Sequence, residues 1–208
     1  VSWKTLLALG AVLLSLGVWL VGQPTLADRV ARIEPQLEKK IASGAVQIDP
    51  AELLDMYIND NIAVWIFDLR DEVDFNLFHI VDSRRVTLAK MGESSFVKSL
   101  PADTVIVLAS NGERRATQAW KLLVAQKVPN IYILDGGINH WVDIYAHEHM
   151  SKAPEGCQED ECRRYVFDSA LGGRHPASDP NPHEIAKRSY TKKVKGIGHK
   201  ARKSGGCG

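Results

Sequence analysis

The sequence predicts an α/β protein: a parallel sheet with flanking helices, preceded by one N-terminal transmembrane helix and followed by a loop-rich C-terminal extension. Three observations carry this expectation. Apolar runs at residues 63–67, 105–108 and 130–134 recur between polar stretches, and a helical pattern separates the last two. An uncharged apolar stretch, residues 5–22, opens the chain. After residue 145 the strand pattern stops, and Pro154, Pro176, Pro180 and Pro182, with many glycines, break up the chain.

The opening stretch comes first. As a helix, its eighteen residues rise about 27 Å at 1.5 Å each, near the roughly 30 Å of a hydrocarbon core. Trp3 and Trp19 sit near its ends, where amphipathic rings favour an interface. This predicts a retained anchor over residues 1–23; a cleavable signal peptide ending near Thr25-Leu26-Ala27 is the alternative. Lys4 argues for a domain on the exported side of a cell membrane, while Arg29, Arg32, Lys39 and Lys40 argue for the cytoplasmic side. Residues 24–45 then read as an amphipathic linker helix, because Val30, Ile33, Leu37 and Ile41 recur at 3–4 spacing over 28–42. Pro35 either kinks that helix or marks its first turn.

The central unit is residues 46–145. Asp49 and Pro50 suit the N-cap and first position of a short helix through Met56. The run Ala63-Val64-Trp65-Ile66-Phe67 is apolar without alternation, as a strand buried on both faces must be. Val105-Ile106-Val107-Leu108 and Asn130-Ile131-Tyr132-Ile133-Leu134 read the same way. Between them, Ala116, Ala119, Trp120 and Leu123 share one helical face. Strand, helix, strand with short loops implies parallel pairing, and open parallel sheets bind ligands at the carboxyl ends of their strands. The loop after Leu108 is therefore the candidate site: Ala109, Ser110, Asn111, Gly112, Glu113 and Arg114. A tight loop entering a helix points backbone N–H groups into one concavity, which favours an anion. Arg114 could add a fixed positive charge, or pair with Glu113 or Asp135 instead.

Composition sets the bounds. The 208 residues are 45% hydrophobic and 25% charged, which excludes wholesale disorder. A net charge of +1 excludes a uniformly basic nucleic-acid coat, so no nucleic-acid partner is expected. Three cysteines exclude a disulfide-dense scaffold. From Glu184 onward eight basic residues oppose one acid, a surplus of +7 that leaves the first 183 residues at −6. That basic run reads as solvated charge in a mobile, Gly-rich tail, within an irregular extension over 146–208.

The central unit resembles a rhodanese domain, the sulfurtransferase fold. Asp68-Leu69-Arg70 looks like the family's Asp-x-Arg, and Phe75 with His79-Ile80 looks like its Phe…Gly-His-Ile segment. Residues 105–114 look like the strand and the Cys-x-x-Gly-x-Arg loop, and Gly136-Gly137-Ile138-Asn139-His140-Trp141 looks like the closing Gly-Gly-x-x-x-Trp. The resemblance implies a loop cysteine that carries sulfane sulfur as a persulfide. Here Ala109 occupies that nucleophile position, so no catalytic residue is expected in the loop. Phe78 replaces the glycine before His79, and Val81-Asp82-Ser83 stands where the family has Pro-Gly-Ala. The Asp68 and Arg70 side chains are expected to pair structurally, His79 to satisfy a local hydrogen bond, Gly136 and Gly137 to make a tight turn, and Trp141 to pack in the core.

Cys157, Cys162 and Cys207 leave alternatives open. Four residues separate the first two, which suits a small-loop disulfide if exported and free thiols if not. Cys157 and Cys162 with two of His147, His149 and His175 could form a zinc site, although no metal or other cofactor is expected. Cys207 sits on a Gly-rich tip beside Lys200, Arg202 and Lys203. The expected function is a membrane-anchored, inactive rhodanese-like accessory subunit of a membrane redox complex, in contact with the bilayer and with other subunits, binding a small oxyanion without transforming it. The alternatives are a sulfur relay or thiosulfate sulfurtransferase using Cys157, Cys162 or Cys207, and a metal-binding module.

Overall fold

The computed structural model describes residues 2–21, 23–58, 62–145, 151–152, 160–166, 180–181, 183 and 189–194. Five short strands form the main sheet: β1 (Gln47–Ile48), β2 (Val64–Asp68), β3 (Arg84–Arg85), β4 (Val105–Ala109) and β5 (Ile131–Leu134). Their order is β1-β5-β4-β2-β3, and every pair is parallel. The three apolar runs of the sequence are the three central strands. The edge strands escape sequence reading because two residues carry no periodicity.

Side-chain alternation along β4 sorts the core. Val105, Val107 and Ala109 enter one cluster with Phe78, Trp141 and Tyr165. Ile106 and Leu108 enter the other with Ala116, Ala119, Trp120 and Leu123 of α7 (Arg114–Ala125). All five β4 residues are buried, as a strand covered on both faces requires. The second cluster is closed by α2 (Leu26–Ala42), whose Leu37 is buried between half-buried Ile33 and Ile41. Thr25 caps α2 in a reciprocal capping box with Asp28, and Pro35 sits inside the helix. Glu34 and Glu38 reach Lys121 of α7, fixing the two helices side by side.

The other flanking helices are α3 (Pro50–Ile58), α4 (Glu72–Leu77), α5 (Leu88–Met91), α6 (Ser94–Lys98) and α8 (Gly137–Tyr145). Beyond the central unit, β6 (Ser151–Lys152) pairs antiparallel with β7 (Tyr165–Val166). The end of the strand pattern expected at residue 145 is corrected here: a two-residue ladder is too short for any periodicity to reveal. Lys193 is a second revision. Its Nζ donates to the carbonyls of Gly44 and Gln47 at 2.7 Å each, and its backbone N–H shares Glu52 Oε1 with that of Val194. Residues 189–194 thus strap the β1 edge of the sheet, where an open strand would invite foreign pairing.

Helix α1 (Trp3–Val21) forms over the opening stretch. Among the described residues, however, no helix is long and apolar enough to cross a membrane. Trp3, Leu6, Leu7, Leu9, Val12 and Leu13 are exposed, and Lys4 lies among them. The expected transmembrane helix, the single-pass cell-membrane location and the exported placement of the domain are corrected by this finding.

Two tyrosines bind the late segments to the core. Tyr165 donates to Asp143 Oδ1, and Tyr190 donates to Asp55 Oδ2 at 2.6 Å. Burial, then the neighbouring carboxylate, pushes both phenols well above their ordinary value of 10.0. A raised folded value means the folded chain holds the proton more tightly, so the associated stability is complete below pH 10 and falls as pH rises above it. Phenolate absorbance is expected to show these two tyrosines ionising only together with alkaline unfolding. Their titration at the ordinary value in a folded chain would refute this packing.

Candidate functional site

The loop between β4 and α7 lies at the carboxyl end of the central strand. Ala109 closes β4: its carbonyl accepts from Leu69 N at 2.8 Å, and its methyl is 1% exposed within the first core cluster. Ser110 is fully buried. Its Oγ lies 2.9 Å from both Gly112 O and Glu161 Oε1, with one proton to serve them, and accepts from Ala116 N at 3.3 Å. A carboxylate is too weak a base to ionise a hydroxyl, so this serine is held rather than activated.

Beneath the loop lies a buried ion pair. Asp68 is fully buried and Arg70 is 2% exposed. Arg70 Nε and Nη2 bracket the Asp68 carboxylate at 2.7–3.1 Å. The same guanidinium donates to Phe78 O at 2.6 Å and to Asn111 Oδ1 at 3.4 Å. The pair is therefore both structural, as expected, and a support for the loop. Asn111 passes the support on: its Nδ2 donates to Asp74 Oδ2 at 2.7 Å and to Glu161 O at 3.1 Å.

Glu113 turns away from the loop mouth. It accepts from Gly136 N at 2.8 Å and from Gln47 Nε2 at 3.3 Å, tying the loop to the β5–α8 turn and to β1. Gly136 and Gly137 adopt φ +62° and +64°, the left-handed conformation a tight turn needs. Ile138 N and Asn139 N donate back to Ser110 O and Asn111 O at 2.8 and 3.0 Å. His79 Nδ1 lies 2.9 Å from Phe75 O with the two rings stacked, and Trp141 is buried in the core, both as expected.

The N–H groups at the start of α7 do converge on negative charge. Glu113 N and Arg114 N each donate to Asp160 Oδ2 at 2.8 Å, and Arg115 N donates to Glu161 Oε1 at 2.8 Å. The carboxylates come from the chain itself, some fifty residues downstream. Gly112 is what lets them in: a Cβ there would stand 2.1 Å from Asp160 O and 2.4 Å from Asp160 Cγ. The Arg114 side chain is exposed, and the neighbouring Arg115 bridges to Asp71 at 3.1 Å.

Of the three thiols, Cys162 is disulfide-bonded, and its carbonyl accepts from Asn139 Nδ2 at 2.8 Å. Cys157, Cys207, His147, His149 and His175 lie outside the described residues. Among the described residues no group of three or more His, Cys, Asp or Glu side chains could hold a metal ion. Sequence reasoning missed Asp160, Glu161, Asp74, Arg115 and Asn139. The available signal was charge: an acidic run between two cysteines faced a loop suited to an anion.

A second concavity, about 390 Å³, is lined by Asp49, Asp135, Ser189, Tyr190, Thr191 and Lys193. Its one ammonium is committed to Gly44 and Gln47, which leaves the loop as the better candidate.

Residues 49–144 match the family model of the rhodanese-like domain. The chain carries a rhodanese-like domain. A rhodanese-related protein of Thermoplasma volcanium is 24% identical, aligning 47% of this chain with 90% of its own at a TM-score of 0.39. The rhodanese-like domain of an Anabaena protein is also 24% identical, over 55% of this chain and 88% of its own, at 0.43. The human single-domain sulfurtransferase is 14% identical, over 47% and 96%, at 0.41. No curated protein matches the chain.

Proposed function

We propose that this rhodanese-like domain binds an oxyanion or carboxylate at its β4–α7 loop without covalent chemistry, and serves as an accessory or interaction subunit rather than a sulfurtransferase. One observation carries the reading. Ala109, at the carboxyl end of β4 where the family resemblance calls for a sulfur-accepting cysteine, presents a buried methyl group. A methyl has no lone pair with which to attack sulfane sulfur. The convergent N–H groups of Glu113, Arg114 and Arg115, which hold carboxylate oxygens at 2.8 Å, support retention of the anion-binding half of the machinery.

The full chain is expected to show no thiosulfate-to-cyanide sulfur transfer above the uncatalysed rate. Robust turnover lost in Cys162→Ser or Cys207→Ser would overturn the non-catalytic reading. Ala109→Cys, combined with Asp160→Ala and Glu161→Ala to clear the loop, is expected to accept sulfur from thiosulfate. In that step the cysteine thiolate bonds to the sulfane sulfur, sulfite leaves, and the persulfide appears as one added sulfur in the protein mass. Absence of the adduct in a folded variant would show that the loop no longer holds such an anion.

A further inference from the structure

The loop's anion-binding groups are occupied from within, and the segment that occupies them ends at a disulfide. Asp160 takes the N–H groups of Glu113 and Arg114; Glu161 takes that of Arg115 and stands 2.9 Å from Ser110 Oγ. Asn111 holds Glu161 O, Asn139 holds Cys162 O, and Arg164 N returns to Asn139 Oδ1 at 3.0 Å. Arg163 pairs with Asp74 at 3.0 Å. An external anion at this loop needs the same three N–H groups, so internal and external occupancy exclude one another. The contact is intramolecular, and its strength depends on how narrowly the chain confines the two acids near the loop. A disulfide at the very next residue removes chain freedom that the plug would otherwise lose on docking.

We propose that Asp160 and Glu161 form a redox-released plug of the β4–α7 loop: the disulfide of Cys162 holds the plug in place, and its reduction opens the loop to an external anion. The inference rests on the anion-binding reading above and adds its regulation. The reductant is a dithiol. One of its thiolates attacks one sulfur of the protein disulfide and expels the other as a thiolate, leaving a mixed disulfide; its second sulfur then attacks the first, expels the remaining protein thiolate and closes a cyclic disulfide. The two protein thiolates released take up the two protons.

Amide hydrogen exchange on the full chain tests the plug. In the oxidised protein the amides of Glu113, Arg114 and Arg115 are expected to be protected. After reduction with dithiothreitol and alkylation, and in Cys162→Ser without reductant, they should exchange on the order of tenfold faster, while the β4 amides stay unchanged. Equal protection in oxidised, reduced and Cys162→Ser protein would overturn redox release. Continued protection in Asp160→Ala/Glu161→Ala, with circular dichroism showing a folded chain, would overturn the plug. Should that double variant lose its fold, Asp160→Leu/Glu161→Met, which removes the acceptor oxygens and keeps much of the volume, decides on the same readout.

Calorimetric titration with sodium sulfate at constant ionic strength supplies the second arm. Reduced wild type and the double alanine variant are expected to bind sulfate at concentrations where oxidised wild type does not. Released amides without sulfate binding would leave the plug standing and remove the anion-binding reading, so the two failures are distinguishable.

Discussion

Arg70→Met is expected to lower the unfolding free energy by about 3–5 kcal/mol, the cost of leaving a buried charge without its partner. Asp68 is fully buried, and the Arg70 side chain supplies three of its contacts at 2.7–3.1 Å. Methionine fills much of the volume but strands the carboxylate, and also abandons Phe78 O and Asn111 Oδ1. Asp68→Leu/Arg70→Met should cost clearly less than the sum of its single changes, because no charge is then left buried. Arg70→Lys should fall between, since an ammonium cannot bracket a carboxylate and reach two further acceptors at once. Urea unfolding at constant m-value reads all of these. A loss below about 1 kcal/mol for Arg70→Met would place the pair in a solvated setting like that of surface ion pairs.

Gly137→Ala should cost about 3 kcal/mol or more, for two separable reasons. The residue sits at φ +64°, and its new Cβ would stand 2.2 Å from Gly112 O, 2.4 Å from Ser110 O and 2.8 Å from Asn111 O. These are backbone atoms, so the loop itself must move and its hydrogen bonds from Ile138 N and Asn139 N must break. Gly44→Ala isolates the first reason: φ is +67°, but among the described residues nothing approaches closer than Lys193 Nζ at 4.0 Å. It should cost only about 1 kcal/mol. Equal losses at the two positions would mean that the collision is relieved without displacing the loop. The comparison also bears on the site, because a displaced loop carries the Glu113, Arg114 and Arg115 amides away from Asp160 and Glu161.

An empty cradle at this loop would read as an open anion site. Here the N–H groups have partners of their own, and Gly112 is needed because the Asp160 backbone passes where a Cβ would lie. The acidic segment is thus fitted to the loop, and the two must be tested together.

Much of the domain was legible in the residues. The runs at β2, β4 and β5 were readable because both faces of a central parallel strand are buried, which leaves no polar alternation to confuse them. The helical face Ala116, Ala119, Trp120 and Leu123 was readable because one stripe of α7 meets the core. The loop, the Asp68–Arg70 pair and the glycine turn were each local in sequence, and local geometry set them.

What stayed hidden was long-range. The β1 and β3 edges have two residues each and exist through their neighbours' hydrogen bonds. Lys193 looked like one more solvated cation until the fold brought it to the carbonyls of Gly44 and Gln47. The opening apolar stretch looked long enough to span a bilayer, yet among the described residues no helix meets that requirement. By itself the sequence determined the parallel α/β core, the placement of the loop and the methyl group at Ala109, because burial and backbone chemistry act residue by residue. Only the tertiary structure decided that Asp160 and Glu161 fill that loop, because a contact across some fifty residues is made by chain closure and charge complementarity, neither of which leaves a local pattern.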